Sequence, residues 1–374
     1  MKSLMNERYL VTPYFVFFLI SSNQIGIRLA SFQRDLIKGA GYDAWISILL
    51  CGVGIPIIVW MMYRTLNKAK KDVTSINRYC FGKWVGNGLN VIVSLYFLLA
   101  AYTSLRSYIE VVQVWMFPLM KTWQISIIFL LLIYYIVSGG FRVITGVCFW
   151  GVVIPFLILF PLVFFPLEFA RFSNLLPFFH HSLNEIWIST REMLPPLLGF
   201  ESLLLFYPFI KNPEKSQKWA HIGVMFSIFI YLTVAIVSFL LFNPARLPHV
   251  IWPTIHMIKI VELPFIERFE YIVVSMWCLA VLPKICLSLW GACRALKNVI
   301  PIKQRAVLIL FVLACGIILN VLDERRMIEF AEDVYDHIGF YFVCAYVPII
   351  FIITQMKKSP PDVSGSPSSD HPRF

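Results

Sequence analysis

Apolar and polar positions along this 374-residue chain fall into long blocks rather than a short alternation. The apolar runs approach the roughly 20 residues that a helix needs to cross the hydrocarbon core of a bilayer. The pattern predicts an all-α integral membrane protein in which residues 1–358 form one ten-helix membrane domain. The predicted spans are 9–29, 44–63, 85–105, 123–137, 144–166, 193–210, 222–242, 266–290, 306–322 and 338–355.

The sixth predicted span contains the sequence LPPLLGFESLLLFYP, from residue 194 to residue 208. The Pro195-Pro196 pair and Gly199 interrupt the helix near its centre. Glu201 follows them, and an ionisable group at that depth costs at least about 2.5 kcal/mol, so it usually faces a cavity or a partner. The sequence therefore predicts a functional break here, formed by Gly199, Phe200, Glu201 and Ser202. The plainer alternative is a kink whose Glu201 is neutral and hydrogen-bonded to a neighbouring helix.

The first predicted span has a matching interruption, SSNQIG, in which polar side chains precede a glycine. Broken helices in corresponding positions of two halves indicate a central binding site in secondary transporters. Spans one and six open two sets of five helices, so the chain is predicted to be a five-plus-five inverted repeat. We expect a small-molecule site that includes Ser22, Asn23, Gln24 and Gly26. Serine and asparagine also occur at ordinary helix interfaces, which is the alternative.

Span eight carries the second intramembrane charge, Lys284, directly after Pro283. Three roles are open for this lysine: an ion pair with Glu201, the place of a coupling cation, or snorkelling to the inner surface along its methylene stem. Ser288, one turn further on, is predicted to join the site. Span three adds side chains that could wall the same cavity, although aromatic residues there more often simply pack: Tyr96, Tyr102 and Thr103.

Composition excludes a soluble protein, because 59% of residues are hydrophobic and only 14% are charged. The net charge of +11 does not indicate nucleic-acid binding, because it follows membrane topology. More than half of the Lys and Arg residues fall on the side of the chain's N-terminus, whereas the opposite side carries the acidic segment 323–336. The positive-inside rule then places both termini in the cytoplasm.

No motif for catalysis, metal or cofactor binding is apparent in the sequence. The eight cysteines form no Cys-x-x-Cys pair, and His180-His181 has no acid at ligand spacing. A Gly-x-Ser-x-Gly context and a phosphate-binding loop are both missing from the sequence. We therefore expect neither an enzyme nor a bound cofactor or metal.

Three segments outside the spans also give predictions. NEIWISTRE, within 172–192, and WPTIHMIKIVELP, within 243–267, are each predicted to form a short helix on the outer face. Either helix could serve interfacial packing, or gating and docking. The tail 359–374 is rich in Ser and Pro and is predicted to be disordered in the cytoplasm.

The chain resembles the B subunits of the nutrient germinant receptors of bacterial spores, within the amino acid–polyamine–organocation superfamily. The resemblance covers nearly the whole chain and rests on SSNQIG in span one, LPPLLGFESLLLFYPFIKNPEK through span six, and IERFEYIVVSMW at the start of span eight. It implies a LeuT-like fold in the spore inner membrane, a nutrient ligand that is commonly an amino acid, and A and lipoprotein C subunits as partners. It also implies that 22–26 and 199–202 hold the ligand.

Two functions follow from these observations. The first is a nutrient-binding receptor subunit that triggers germination through a conformational change. The alternative is an amino acid/cation secondary transporter that uses the same site, with Glu201 or Lys284 as a proton carrier. Fold alone does not separate them.

Overall fold

The computed structural model describes residues 10–260, 269–300 and 302–357. Over these residues the chain is folded into helices. The α-helices are α1 Phe15–Gln24, α2 Phe32–Ala40, α3 Trp45–Ala69, α4 Val73–Trp115, α5 Thr122–Ser138, α6 Phe141–Leu162, α7 Leu183–Met193, α8 Leu203–Phe206, α9 Gln217–Leu241, α10 Pro253–Lys259, α11 Phe269–Lys297, α12 Gln304–Val321, α13 Arg325–Tyr341 and α14 Val347–Met356. The start of span one at Tyr9, the first residues of span eight (266–268) and the tail 359–374 lie outside the described residues.

Seven helical stretches within the described residues are long and apolar enough to cross a membrane. They are Phe32–Ala69, Val73–Trp115, Phe141–Phe169, Pro213–Leu241, Glu270–Lys297, Gln304–Val321 and Arg325–Met356. Shorter apolar helices occur at Phe15–Gln24, Thr122–Ser138 and Phe200–Phe209, where spans one, four and six are predicted. The chain is therefore a multi-pass membrane protein, and ten complete crossings stay a prediction.

Helix α4 extends beyond the predicted end of span three, to Trp115 instead of residue 105. Its last turns carry charged residues that find partners: Arg106 donates to Asp323 Oδ1 at 2.9 Å, and Glu110 pairs with Arg325 at 2.7 Å. Because these charges are paired, α4 continues through residues that the sequence alone suggests lie in a loop. Near the other end, Gly82 with φ 79° is a kink inside α4 that divides a short first part from the long helix that follows.

The two short helices predicted within 172–192 and 243–267 are present as α7 and α10. A capping box begins α7, in which the Ser182 hydroxyl accepts from Glu185 N while Glu185 accepts from Ser182 N. Donation from the Ser182 backbone lowers the pKa of the Glu185 carboxyl. Just before this helix, the backbone N–H groups of His180 and His181 donate to the Asp43 carboxylate, and the His181 ring also contacts it. These contacts hold the connection between α6 and α7 against the residues that directly precede α3.

The centre of the bundle is built around α11, which packs mainly on α4 and α6, and around α1, which lies against α9 and α6. A Cβ atom added to Gly151 would lie 2.4 Å from Leu279 O, so only glycine lets α6 cross α11 this closely. Helix α13 continues into α14 through a π-helical turn, Phe342–Tyr346. Gly339 of α13 lies directly on Leu198, where a Cβ would be 2.2 Å from Leu198 Cδ1. The tenth predicted span therefore packs on the break in the sixth.

Candidate functional site

Both predicted breaks are present, but the first begins later than predicted, because Ser22, Asn23 and Gln24 form the last turn of α1. Helix α1 ends at Gln24, Gly26 is extended, and a 3₁₀ turn follows at Ile27–Ala30. The sixth span is a series of short turns, Pro195–Leu197, Phe200–Ser202 and then α8. Gly199 between the turns has φ +132°, a backbone conformation that residues with a side chain rarely adopt. Proline and glycine together therefore keep this segment from forming a continuous helix.

The two breaks touch each other. Asn23 Nδ2 donates to Gly199 O at 3.2 Å and to Ser202 Oγ at 2.9 Å, and Gln24 Nε2 donates to Leu197 O at 3.0 Å. A Cβ on Gly199 would approach Asn23 Cβ to 2.7 Å. Side chains of the first break therefore bind the carbonyls freed by the second, as expected for irregular backbone at membrane depth that is buried in protein.

Glu201 lies at the centre of this contact and is only 1% exposed. Its Oε2 accepts from Gly199 N at 2.7 Å, and its Oε1 accepts from the Tyr96 hydroxyl of α4 at 2.7 Å. The hydrogen bond to a neighbouring helix that the kink alternative requires is therefore present. The same two donors suit an acceptor-only carboxylate, because each oxygen receives one hydrogen bond.

Lys284 is buried against the second break, with 2% of its surface exposed. Its Nζ donates to Leu198 O at 3.1 Å, and its Cδ lies 3.2 Å from the position of a Cβ on Gly26. Snorkelling to the inner surface is therefore wrong for this lysine. Within the described residues it also makes no ion pair with Glu201 closer than 4 Å. Its ammonium instead donates to a carbonyl of the second break.

Two aromatic residues that sequence reasoning missed hold the first break. The Tyr231 hydroxyl of α9 donates to Gln24 O at 2.9 Å and to Pro196 O at 3.1 Å, so one side chain ties both breaks. Trp277 Nε1 of α11 donates to Gly26 O at 3.4 Å. In the sequence, each of these residues is an aromatic side chain with an O–H or N–H group within an apolar run. The same pattern also occurs in ordinary packing.

The other predicted site residues are placed less centrally. Ser22 donates to Leu19 O of its own helix at 3.5 Å, and Phe200 is fully buried beside Glu201. Ser288 is buried one turn beyond Lys284, and no hydrogen bond of the described residues joins it to either break. Tyr102 is buried on α4, and its hydroxyl has no hydrogen-bond partner in the part of the chain that the structure describes, so it does not bind the breaks. Of the two tyrosines predicted to wall the cavity, Tyr96 contacts Glu201.

Contacts close the site on both sides. On one side, near the end of span one, Arg28 pairs with Asp336 of α13 at 2.9 Å. At the opposite ends of the two broken spans, Val11 N donates to Phe209 O at 2.9 Å and Lys211 N donates to Val11 O at 2.8 Å. The structure thus describes a state in which the meeting point of the breaks is shut off from both sides.

Two buried acceptors at this meeting point, Asn23 Oδ1 and Gln24 Oε1, have no hydrogen-bond partner among the described residues. A buried polar group left without a hydrogen bond costs about 1–3 kcal/mol. A ligand that brings N–H donors would recover that energy, whereas an apolar ligand would not. Among the described residues, no group of three or more His, Cys, Asp or Glu side chains is arranged to hold a metal ion.

Comparison with known proteins identifies the family. The family model described as spore germination protein matches residues 10–328. The spore germination protein GerQB of Bacillus cereus is 42% identical over 349 residues, which cover 93% of this chain and 97% of GerQB. The chain belongs to the spore germination protein family. The resemblance to germinant receptor B subunits is confirmed, and the family is not one of enzymes.

Other similarities extend the comparison. Spore germination protein B2 of Bacillus subtilis (strain 168) is 27% identical over 77% of this chain and 79% of its own length. Spore germination protein A2 of the same strain is 24% identical over 91% of this chain and 94% of its own. Among solved structures, MhsT in complex with L-phenylalanine has a TM-score of 0.55 at 12% identity, covering 93% of this chain and 98% of MhsT. This spore germination protein therefore has the fold of MhsT, which confirms the LeuT-like expectation at the level of fold.

Proposed function

We propose that this spore germination protein is the nutrient-binding subunit of a germinant receptor in the spore inner membrane, and that its ligand is an amino acid. The observation that carries the proposal is the direct contact of two broken helices around Glu201 and Lys284, both almost fully buried. Ionisable groups kept at membrane depth are by default functional. Broken helices are where LeuT-like proteins place their ligand sites.

The chemistry of the meeting point suits a zwitterion. The unpartnered oxygens Asn23 Oδ1 and Gln24 Oε1 are acceptors for an ammonium group, and Glu201 adds negative charge nearby. Lys284 supplies an ammonium that can bind a carboxylate in place of Leu198 O. An α-amino acid carries both complementary groups a few bonds apart. A ligand of a single charge would satisfy only half of these groups.

Binding of such a ligand would trigger germination by favouring one conformation over another. The bonds from Asn23 to Gly199 O and from Lys284 to Leu198 O join helices that belong to different parts of the bundle. A ligand that takes over these donors changes how tightly the broken spans are held together. Because a ligand shifts an equilibrium only through its differential affinity for two states, this exchange is the step that partner A and C subunits would sense.

The second candidate function is a secondary transporter for an amino acid and a cation. The shared fold with MhsT and the two buried ionisable groups favour it. Glu201 or Lys284 would then carry a proton during the transport cycle. This alternative uses the same site, and it differs in predicting movement of the ligand across the membrane.

Reconstitution of the protein alone into liposomes separates the two functions. A panel of labelled L-amino acids is tested for saturable binding and for accumulation inside the same vesicles, with and without proton and sodium gradients. The proposal predicts saturable binding without gradient-driven accumulation. Accumulation that collapses with the gradient would establish the transporter instead. Absence of saturable binding to the reconstituted protein, both alone and together with A and C subunits, would contradict both candidates.

A further inference from the structure

An apolar cavity of about 60 Å³ lies beside the part of span one that follows α1, away from Glu201 and Lys284. Ile25 and Leu29 form its wall on the side of the break, and Ala280 of α11 lies opposite. The remaining walls come from α6, α9 and α10, including the rings of Phe156 and Phe226. No function assigned above uses this cavity.

The few polar groups in the lining are already paired. The Thr254 hydroxyl donates to Leu29 O at 2.7 Å and accepts from Gln33 Nε2 at 2.7 Å. Trp277 Nε1 donates to Gly26 O. A charged ammonium or carboxylate in this cavity would find no free partner, which makes its burial there costly. The lining therefore selects hydrocarbon and not the polar part of an amino acid.

The size of the cavity limits its guest. It exceeds the roughly 15 Å³ that one water molecule needs, but it is well below the about 150 Å³ of an engineered apolar cavity that binds benzene. Apolar cavities stay dry, and the end of an alkyl chain or a single xenon atom suits this volume better than an aromatic ring does. Filling such a void recovers dispersion contacts that its lining otherwise lacks.

Access leads toward the bilayer through a seam of aromatic rings between α6 and α9. The ring centroids of Phe156 and Phe226 are 5.2 Å apart, and those of Phe160 and Phe229 are 5.8 Å apart. On the outer side of this seam Leu157 is 65% exposed, at the depth of a membrane-spanning helix, where acyl chains are its surroundings. Phe156, Phe160 and Phe226 of this seam also line the cavity, so the cavity lies next to the lipid-facing surface of α6.

We propose that this cavity is a binding site for a hydrocarbon guest, either the end of a lipid acyl chain or a dissolved small apolar molecule. The part of span one that follows α1 lines this cavity together with α6 and α11. A guest therefore stabilises the arrangement in which these elements are packed together. The composition of the bilayer would thereby act on the helix that supplies Asn23 and Gln24 to the ligand site. This inference does not depend on which nutrient the protein binds.

Photolabelling in nanodiscs tests the proposal. A phospholipid with a diazirine at the end of one acyl chain is activated, and labelled peptides are mapped by mass spectrometry. Labelling of Ile25 and Trp277, inside the cavity, is expected in the wild-type protein and should fall at least fivefold in Ala280→Phe, which fills the cavity. Labelling of Leu157 on the lipid-facing surface should stay the same and serves as the internal control.

A second arm distinguishes the source of the guest and does not require Ala280→Phe to fold. Xenon should raise the thermal unfolding temperature of the wild-type protein, and Phe156→Ala, which enlarges the cavity, should in addition be stabilised by benzene. Cavity labelling by the acyl chain indicates the bilayer as the source, whereas xenon stabilisation without such labelling indicates small apolar solutes. Neither labelling nor stabilisation by xenon or benzene in any variant would overturn the proposal.

Discussion

The two breaks are equally irregular in backbone, but different groups hold them. In the first break, Gln24 O and Gly26 O accept hydrogen bonds from aromatic donors, Tyr231 and Trp277. In the second break, the freed carbonyls Leu197 O, Leu198 O and Gly199 O accept from amide or ammonium groups: Gln24, Lys284 and Asn23. The first break is thus held by ring-bound donors. The second is held mainly by amide and ammonium groups, with Tyr231 as a further donor to Pro196 O.

This difference separates support from recognition. An aromatic donor that is packed in the core loses its ring contacts if it turns toward a ligand. Asn23, Gln24 and Lys284 can instead redirect a terminal group toward a ligand at little cost in packing. We infer that the backbone of the first break is a rigid platform that presents Asn23 and Gln24. A ligand then replaces the contacts that these side chains and Lys284 make with the carbonyls of the second break. Substitutions in the second break or at these three side chains should therefore affect ligand binding most, and those at the aromatic donors to the first break mainly stability.

The largest effect is expected for Gly199→Leu. A leucine would be strained at φ +132° and would collide with Asn23, where a Cβ already lies at 2.7 Å. Backbone strain of this kind costs about 1–3 kcal/mol, and overpacking a similar amount. We expect complete loss of amino acid binding and a lower yield of folded protein, measured by binding to reconstituted protein and by size-exclusion chromatography. Gly88→Leu is the matched control, since nothing lies within 4 Å of its Cβ position; equal damage from both substitutions would contradict the role of the break.

Lys284→Met should have an intermediate effect. The substitution keeps most of the apolar stem but removes the ammonium on Leu198 O. Hydrogen bonds to charged groups contribute about 1.5–3 kcal/mol, so we expect amino acid affinity to fall at least tenfold. The dissociation constant in liposomes measures it, and exposed Lys83 replaced by Met controls for the loss of one positive charge. Wild-type affinity in Lys284→Met would remove the lysine from the ligand site.

The smallest effect is expected for Tyr231→Phe, at the first break. The ring remains packed, and only the donor to Gln24 O and Pro196 O is lost. Leaving these buried carbonyls without that donor costs about 1–3 kcal/mol, so the thermal unfolding temperature should fall by about 2–6 °C while ligand affinity stays within twofold. Tyr14→Phe, at an exposed ring, is the comparison. A large fall in affinity for Tyr231→Phe alone would show that Tyr231 takes part in recognition and contradict its supporting role.

The sequence predicted the parts of this arrangement that depend on local chemistry. Proline, glycine and the SSNQIG cluster determine where the helices break. Glu201 is recognisable as a functional candidate because no neighbouring residue in the sequence can neutralise its charge. Apolar length predicted the spans, except where partners distant in sequence extended them, as Asp323 does for Arg106 at the end of α4.

Long-range partners could not be predicted, because several residues of the same type were equally suitable. Span three offers Tyr96 and Tyr102, and only the packing of α4 against the broken span decides that Tyr96 reaches Glu201. The three roles considered for Lys284 differ in side-chain direction, which depends on how α11 lies against the sixth span. Tyr231 and Trp277 resemble ordinary core aromatics until the carbonyls they bind are known.

The most direct test of the central claim is the affinity of Glu201→Gln for the labelled amino acid that saturates the wild-type protein. Glutamine has nearly the same shape, but it lacks the charge and cannot accept from both Tyr96 and Gly199 N with its two terminal atoms. With normal membrane levels, we predict at least a tenfold weaker dissociation constant or no detectable binding. Unchanged affinity in a normally abundant Glu201→Gln protein would contradict the claim that the two breaks form the ligand site around this carboxylate.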